Sequence, residues 1–182
     1  MDNSKQLLKS NAIWLVFILE VIIFAVASKG AFVSGGNIIN ISRQVSYYGI
    51  ASIGMTFVIL IAGIDLSIGS IITLVNVICA FMMVNMGLNM WVAILISLIV
   101  ATAIGLLNGS MVSRIGIPAL IATFSTQTIF EGVAYLISGG RPISGLPAAF
   151  SIFGRDTIGP VPICAIIIIL CFALCSFILN KT

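Results

Sequence analysis

The stretch GMTFVILIAGIDLSIGS, residues 54–70, places one acidic residue, Asp65, between two apolar runs. Each run, followed outward along the chain, is long enough to cross the hydrocarbon core of a bilayer, which needs about 20 residues. A carboxylate near that core is costly, so an ionisable residue in such a place indicates a functional site. The stretch therefore predicts a polytopic membrane protein with a candidate site at a break between two helices.

The composition also indicates a membrane protein. Of 182 residues, 60% are hydrophobic and 7% are charged, whereas ordinary soluble domains carry about 25% charged residues. The net charge is +3 without any cluster of Lys or Arg, which predicts contact with lipid and no nucleic-acid partner. No phosphate-binding loop of the GxxxxGK[ST] type occurs, so we expect this chain to bind no ATP and to need no cofactor.

The four cysteines lie inside apolar runs, and the chain contains no His. Small apolar fillers of membrane helices are the expected role of these side chains. We therefore predict no metal site and assign no chemistry to Cys79, Cys164, Cys171 and Cys175. An intramembrane enzyme is not expected, because no Ser or Cys stands beside an evident base.

Long apolar runs predict an all-α, polytopic bundle within a single transmembrane domain over residues 1–182. The six predicted spans are residues 12–27, 45–62, 68–86, 91–111, 117–137 and 160–179. Turn-forming residues separate them, notably Gly35, Gly36 and Asn37 in the first loop and the glycines and prolines near residue 140. Residues 138–159 are polar for this chain and predict a small cap outside the membrane, with room for a short interfacial helix.

Charges around the predicted spans give only a weak orientation, because each side carries four basic residues. Lys5 and Lys9 before the first span favour a cytoplasmic amino terminus. The first span ends in Ala25-Val26-Ala27, a pattern that signal peptidase also recognises, but Glu20 inside the run favours a retained membrane anchor. Glu20 itself receives no role.

At the break near Asp65, local chemistry predicts a helix end followed by a helix start. Gly63 is expected to take the left-handed conformation that closes one helix, and Asp65 is expected to cap the next helix through the amides of Ser67 and Ile68. Two interpretations remain open. Asp65 is either a structural cap or part of the wall of a hydrated cavity, and the two are compatible.

The fourth span carries small residues at every fourth position, a pattern that lets helices approach closely. The predicted packing face consists of Ala93, Ser97, Ala101, Gly105, Gly109 and Ser113. Asn108 lies beside this face and can bond to a neighbouring helix or contact a solute. In the fifth span, Gln127 and Glu131 are one turn apart, so they can line a hydrated path or bond to each other.

Two segments, residues 54–70 and residues 105–143 (GLLNGSMVSRIGIPALIATFSTQTIFEGVAYLISGGRPI), resemble the permease subunits of bacterial ATP-binding-cassette importers for monosaccharides such as ribose, xylose and galactosides. The resemblance extends from about Asn37 to the last residue. It implies a fold similar to that of the vitamin B12 importer, with about ten helices. The six predicted here look like its amino-terminal part, incomplete at the carboxyl end.

The resemblance implies a multi-pass subunit of the bacterial cytoplasmic membrane that moves a monosaccharide by alternating access. Implied partners are a cytoplasmic ATPase subunit that binds the ATP, an extracytoplasmic sugar-binding protein and a second permease copy. Asp65 and Ser67 fall on the GIDLS motif of such permeases, whereas Glu131 stands where relatives look to have Arg. The expected substrate path comprises Asp65, Ser67, Asn108, Gln127 and Glu131.

Two other functional hypotheses remain. An ion-coupled secondary transporter or channel would use Asp65 and Glu131 as proton or cation sites in interrupted helices. The other alternative is a non-functional permease fragment.

Overall fold

The structure, a computed structural model, describes residues 12–181, which are mostly helical. The long helices are α1 (Ala12–Ala27), α2 (Gly35–Leu60), α3 (Ile68–Val84), α4 (Met90–Ser113) and α5 (Ala119–Ser138). A single-turn helix α6 (Ile152–Arg155) and a hairpin of β1 (Thr157–Ile158) and β2 (Val161–Pro162) precede the last helix, α7 (Ile163–Lys181). Short 3-10 turns cover Ala31–Val33 and Ala148–Ser151. The predicted all-α fold class is confirmed.

Three of the predicted spans are confirmed by length and composition. Helices α4, α5 and α7 are long and apolar enough to cross a membrane, and α1 and α3 are apolar but shorter. Helix α2 has 26 residues, but polar residues such as Arg43 and Gln44 occupy its first half. The chain is therefore a multi-pass membrane protein. Lys5 and Lys9, on which the predicted orientation depends, lie outside the described residues.

Helix α2 begins ten residues earlier than predicted, so the expected loop at Gly35, Gly36 and Asn37 is wrong. The Ser34 hydroxyl accepts a hydrogen bond from the Asn37 amide at 3.3 Å, and the Asn37 side chain donates to the carbonyl of Phe32 at 2.6 Å. These bonds satisfy polar groups of the first helical turn. Local capping thus outweighs the turn preference of the two glycines.

The chain forms two compact units, one ending at Val45 and the other beginning at Ser46. In the second unit, α3, α4 and α5 pack together as a three-helix core. Leu74, Ile104 and Ala134 are buried where the three helices meet. A second apolar cluster, at the turn between α3 and α4, consists of Cys79, Met82, Met83 and Ala93. The single transmembrane domain over residues 1–182 remains a prediction.

The segment between α5 and α7, residues 139–162, which we call the cap, contains the predicted short helix as α6, while its location outside the membrane remains a prediction. Trp91, at the start of α4, meets Phe153 of the cap edge to face, with ring centres 5.9 Å apart. Phe150 packs against the apolar cluster at the α3–α4 turn, and the Tyr47 hydroxyl of α2 donates to the Gly154 carbonyl at 3.4 Å. The hairpin was not predicted, and because it includes Val161 and Pro162, α7 starts at residue 163 instead of 160.

The small-residue stripe of α4 is not one continuous packing face. Ala93 is 0% exposed and Ser97 is buried, whereas Gly105, Gly109 and Ser113 are exposed. At 3.6 residues per turn, a step of four residues advances about 40° beyond a full turn, so five steps rotate the stripe by about 200°. The face that α4 buries instead carries Ala93, Ser97, Ile104 and Asn108. Packing by the second half of the stripe remains a prediction.

Candidate functional site

Helix α2 ends in a hydrogen-bond pattern typical of a left-handed C-terminal residue. The amide of Ala62 donates to the carbonyl of Ile59, and the amide of Gly63 donates to the carbonyl of Val58, both at 2.9 Å. The left-handed residue is Ala62, with φ 55°, so the predicted role of Gly63 is wrong. A Cβ on Gly63 would lie 3.1 Å from the Val58 carbonyl oxygen. Because the backbone of Val58 comes this close to position 63, a residue without a Cβ is favoured there.

Two substitutions at this helix end should change the stability of the protein in opposite directions. Ala62→Gly should raise the free energy of unfolding by up to about 1 kcal/mol, because it relieves left-handed strain at an alanine. Gly63→Ala should lower it by about 1 kcal/mol, because the new methyl group crowds Val58. Denaturant titration of both variants in mixed micelles measures the difference. If both substitutions change the free energy of unfolding equally and in the same direction, Ala62 is not the left-handed residue.

The carboxylate of Asp65 bonds to Ser67, the residue at the amino end of α3. Its Oδ1 accepts hydrogen bonds from the Ser67 amide at 2.7 Å and from the Ser67 hydroxyl at 2.6 Å. Ser67 immediately precedes α3, so the negative charge lies at the positive end of the helix dipole. The predicted bond to the Ser67 amide is thus present, but within residues 12–181 the predicted bond to the Ile68 amide is absent, because Asp65 bonds to the residue that precedes the helix. The Ser70 hydroxyl donates to the Ser67 carbonyl at 2.8 Å.

Asn108 of α4 extends this hydrogen-bond chain to a second helix. Its Nδ2 donates to the Ser67 hydroxyl oxygen at 2.8 Å, so Asn108, Ser67 and Asp65 form one continuous series. Ser67 is 0% exposed and Asn108 is 5% exposed. The predicted bond from Asn108 to a neighbouring helix is confirmed. Among residues 12–181, no group pairs with the Asn108 Oδ1.

Thr123 of α5 completes the arrangement from a third helix. Its hydroxyl accepts a hydrogen bond from the Leu66 amide at 3.2 Å and donates to the Ala119 carbonyl one turn earlier at 2.7 Å. Thr123 is one of several polar residues in the fifth predicted span, and no local pattern distinguishes it from the others. We call Asp65, Ser67, Asn108 and Thr123 the Asp65 junction, since four side chains from three segments meet there.

Gln127 and Glu131 form a separate pair on α5. The Gln127 Nε2 donates to the Glu131 Oε1 at 3.1 Å, which agrees with the interpretation that they bond to each other. Glu131 is exposed and Gln127 is half-buried. Their contact with a solute path remains a prediction.

Glu131→Ala is expected to change the free energy of unfolding by less than about 0.5 kcal/mol. An exposed pair one turn apart on a helix contributes little, because solvent competes for both groups. Gln127→Ala is the matched variant and should behave in the same way. Denaturant titration in mixed micelles tests this, and a loss several times larger in either variant would show that the pair is buried in the assembled protein.

The described residues contain no group of three or more His, Cys, Asp or Glu side chains placed to hold a metal ion. Within that same part of the chain, Cys79 and Cys164 are buried as free thiols, and Cys171 and Cys175 are half-buried. What the Asp65 junction offers chemically is a set of hydroxyl, amide and carboxylate groups at a helix break. Ser67, Asn108 and Thr123 are buried, so the half-buried Asp65 carboxylate is the group of this set best placed to exchange hydrogen bonds with water or with a hydroxylated solute.

The chain is similar in sequence to permease components of known transport systems. The family model described as branched-chain amino acid transport system / permease component matches residues 37–182. The chain is 37% identical over 172 residues to the ribose import permease protein RbsC of Haemophilus influenzae, covering 91% of this chain and 53% of that protein. It is 36% identical over 169 residues to RbsC of Bacillus subtilis, covering 92% and 52%.

A third relative is the xylose transport system permease protein XylH of Escherichia coli strain K12, 33% identical over 133 residues, with 73% of this chain and 34% of that protein covered. The chain thus spans about half the length of the two RbsC proteins and about a third of XylH. No solved structure matches. The four residues of the Asp65 junction all lie within the range that the family model matches.

Proposed function

Because the chain belongs to the family of branched-chain amino acid transport system permease components, we propose that it serves as the membrane subunit of an ATP-binding-cassette importer. The proposed substrate is a monosaccharide of the ribose type, carried across the cytoplasmic membrane of a bacterium by alternating access. The observation that carries this proposal is the similarity to two ribose import permeases over more than nine-tenths of the chain.

The Asp65 junction supports a transport role on physical grounds. A break in a membrane helix exposes backbone amides and carbonyls, and such a break is tolerated only where protein or water satisfies them. Here the Leu66 amide bonds to Thr123 and the Ser67 amide bonds to Asp65. Interrupted helices whose polar ends face the protein interior are typical of transporter cores.

The proposal includes partners, because the chain itself offers no phosphate-binding loop. A cytoplasmic ATPase subunit would bind the ATP, and an extracytoplasmic sugar-binding protein would deliver the sugar. A second permease copy and the surrounding lipid complete the proposed assembly. On this proposal the chain itself catalyses no reaction.

Reconstitution of the full complex in proteoliposomes tests the function. The complex should accumulate radiolabelled D-ribose when ATP is present inside the vesicles and the sugar-binding protein is present outside. L-leucine is the comparison substrate, since the family description names amino acids. ATP-dependent uptake of leucine without ribose would overturn the proposed substrate class. Uptake that follows a proton or sodium gradient in vesicles without ATP would favour the ion-coupled alternative.

A further inference from the structure

A cavity of about 750 Å³ opens between α2, α3 and the cap. This volume lies within the range of about 300–1,000 Å³ that is common for small-molecule sites. The residues that matter for the following argument are Tyr47, Asn76, Ser144, Phe150 and Phe153. None of them belongs to the Asp65 junction.

Asn76 is the residue that makes this cavity unusual. It is the ninth residue of α3, so its Cα lies about 12 Å along the helix axis from the first residue, near the middle of the helix. Its side chain is exposed, and among residues 12–181 it makes no hydrogen bond. An amide that faces hydrocarbon without a hydrogen-bond partner is strongly unfavourable. Asn76 is therefore expected to face water or a polar solute.

The other walls of the cavity supply aromatic faces and hydroxyl groups. Phe150 and Phe153 of the cap lie with ring centres 6.2 Å apart, and the half-exposed Tyr47 borders the same space from α2. A monosaccharide presents apolar C–H groups beside a ring of hydroxyls, and both kinds of surface find complementary groups here. Aromatic rings cover the C–H face, while amide and hydroxyl groups exchange hydrogen bonds with the hydroxyls.

We propose that this cavity, which we call the cap cavity, is a binding site for a monosaccharide on the cap side of the membrane. The Asn76 amide binds sugar hydroxyls, and Tyr47 with Phe150 and Phe153 provides the apolar contact surface. The site is separate from the Asp65 junction, which lies at the amino end of α3. This inference rests on the proposed function for the choice of sugar as the ligand.

Thiol labelling of the purified chain in nanodiscs tests the proposal without an ATPase or a sugar-binding protein. Asn76→Cys should react with a charged, water-soluble thiosulfonate reagent. Thr102→Cys is the matched control, because Thr102 is also an exposed polar residue in mid-helix but borders a groove lined by Leu98, Ile99, Ala103 and Leu106. It should react no faster than the cysteines of the parent chain. Added D-ribose should slow labelling of Asn76→Cys about tenfold at ten times its dissociation constant, whereas L-leucine should not.

Each other outcome contradicts the proposal. Failure of Asn76→Cys to react would show that residue 76 faces lipid or packs against protein, and reaction without protection by D-ribose or D-xylose would show a hydrated cavity that binds no sugar. Equal protection by L-leucine would remove the proposed specificity. ATP-driven ribose uptake by the reconstituted parent complex is measured in parallel. Uptake without protection rejects the cap cavity alone, whereas absence of uptake rejects the proposed function.

A second measurement uses Trp91, which contacts Phe153 at the edge of the cap cavity. In a Trp14→Phe background, Trp91 is the remaining tryptophan, and D-ribose should change its emission. Asn76→Leu should weaken this response about tenfold in affinity, the effect of losing one hydrogen bond. An unchanged affinity in a folded Asn76→Leu chain would overturn the role of Asn76.

Discussion

Asp65→Ala is expected to lower the free energy of unfolding by about 2–4 kcal/mol, because it leaves both the amide and the hydroxyl of Ser67 without their acceptor. Ser67 is 0% exposed, so water cannot readily replace the lost bonds. The loss should be measured by titration with a denaturing detergent in mixed micelles, followed by circular dichroism. Helix content before the titration should stay close to that of the parent chain.

Asp65→Asn is the control, since its carbonyl oxygen can still accept from Ser67 while the charge is removed. We expect it to retain most of the stability and to lose about 1 kcal/mol, the contribution of charge to the cap. If Asp65→Asn costs as much as Asp65→Ala, the charge itself stabilises the junction, and the hydrogen bonds to Ser67 are secondary. A double-mutant cycle with Asn108→Ala should give a coupling energy of about 1 kcal/mol, because Ser67 links the two residues.

Ala93→Leu is expected to lower the free energy of unfolding by about 2–3 kcal/mol. Ala93 is 0% exposed and packs against Cys79, Met82 and Met83 of α3. Extra side-chain atoms at that position must push α3 and α4 apart or force neighbouring side chains from their preferred rotamers. The same detergent titration measures the effect.

Gly109→Leu is the matched variant on the same stripe of small residues. Gly109 is exposed, and a Cβ there would meet nothing within 4 Å, so the chain alone should tolerate leucine with little change. If Gly109→Leu lowers the free energy of unfolding as much as Ala93→Leu does, the second half of the stripe is packed against protein in the purified sample. Size-exclusion chromatography of both variants would then show whether a second copy provides that cover.

The sequence predicts the helices well where hydrophobicity alone determines them. The first span, residues 12–27, coincides with α1, and the fourth and fifth spans agree with α4 and α5 within two residues at each end. Prediction fails where side-chain capping decides the boundary. Hydrogen bonds of Ser34 and Asn37 start α2 inside a segment whose glycines predict a turn. Average hydropathy contains no information about those bonds.

The sequence predicts those contacts of the site that join residues close together in the chain. The bond between Asp65 and Ser67 joins residues two positions apart, so the local sequence is sufficient to predict it. The contribution of Thr123 depends on the approach of α5 to a loop 57 residues earlier, which no local pattern encodes. The local sequence favours Gly63 as the left-handed residue, because glycine adopts that conformation readily, whereas the hydrogen bonds select Ala62.

The bonds of the Asp65 junction also set an order of assembly during synthesis. Asp65 can bond to Ser67 as soon as α3 forms, but Ser67 must wait for Asn108, which lies 41 residues later. The Leu66 amide bonds to Thr123, which lies 57 residues later. At about 5–20 residues per second, synthesis of those residues takes roughly 3–11 s. Throughout that interval the Leu66 amide must be satisfied by water or by the insertion machinery. The Asp65 junction therefore cannot be fully shielded from water until α5 has been synthesised.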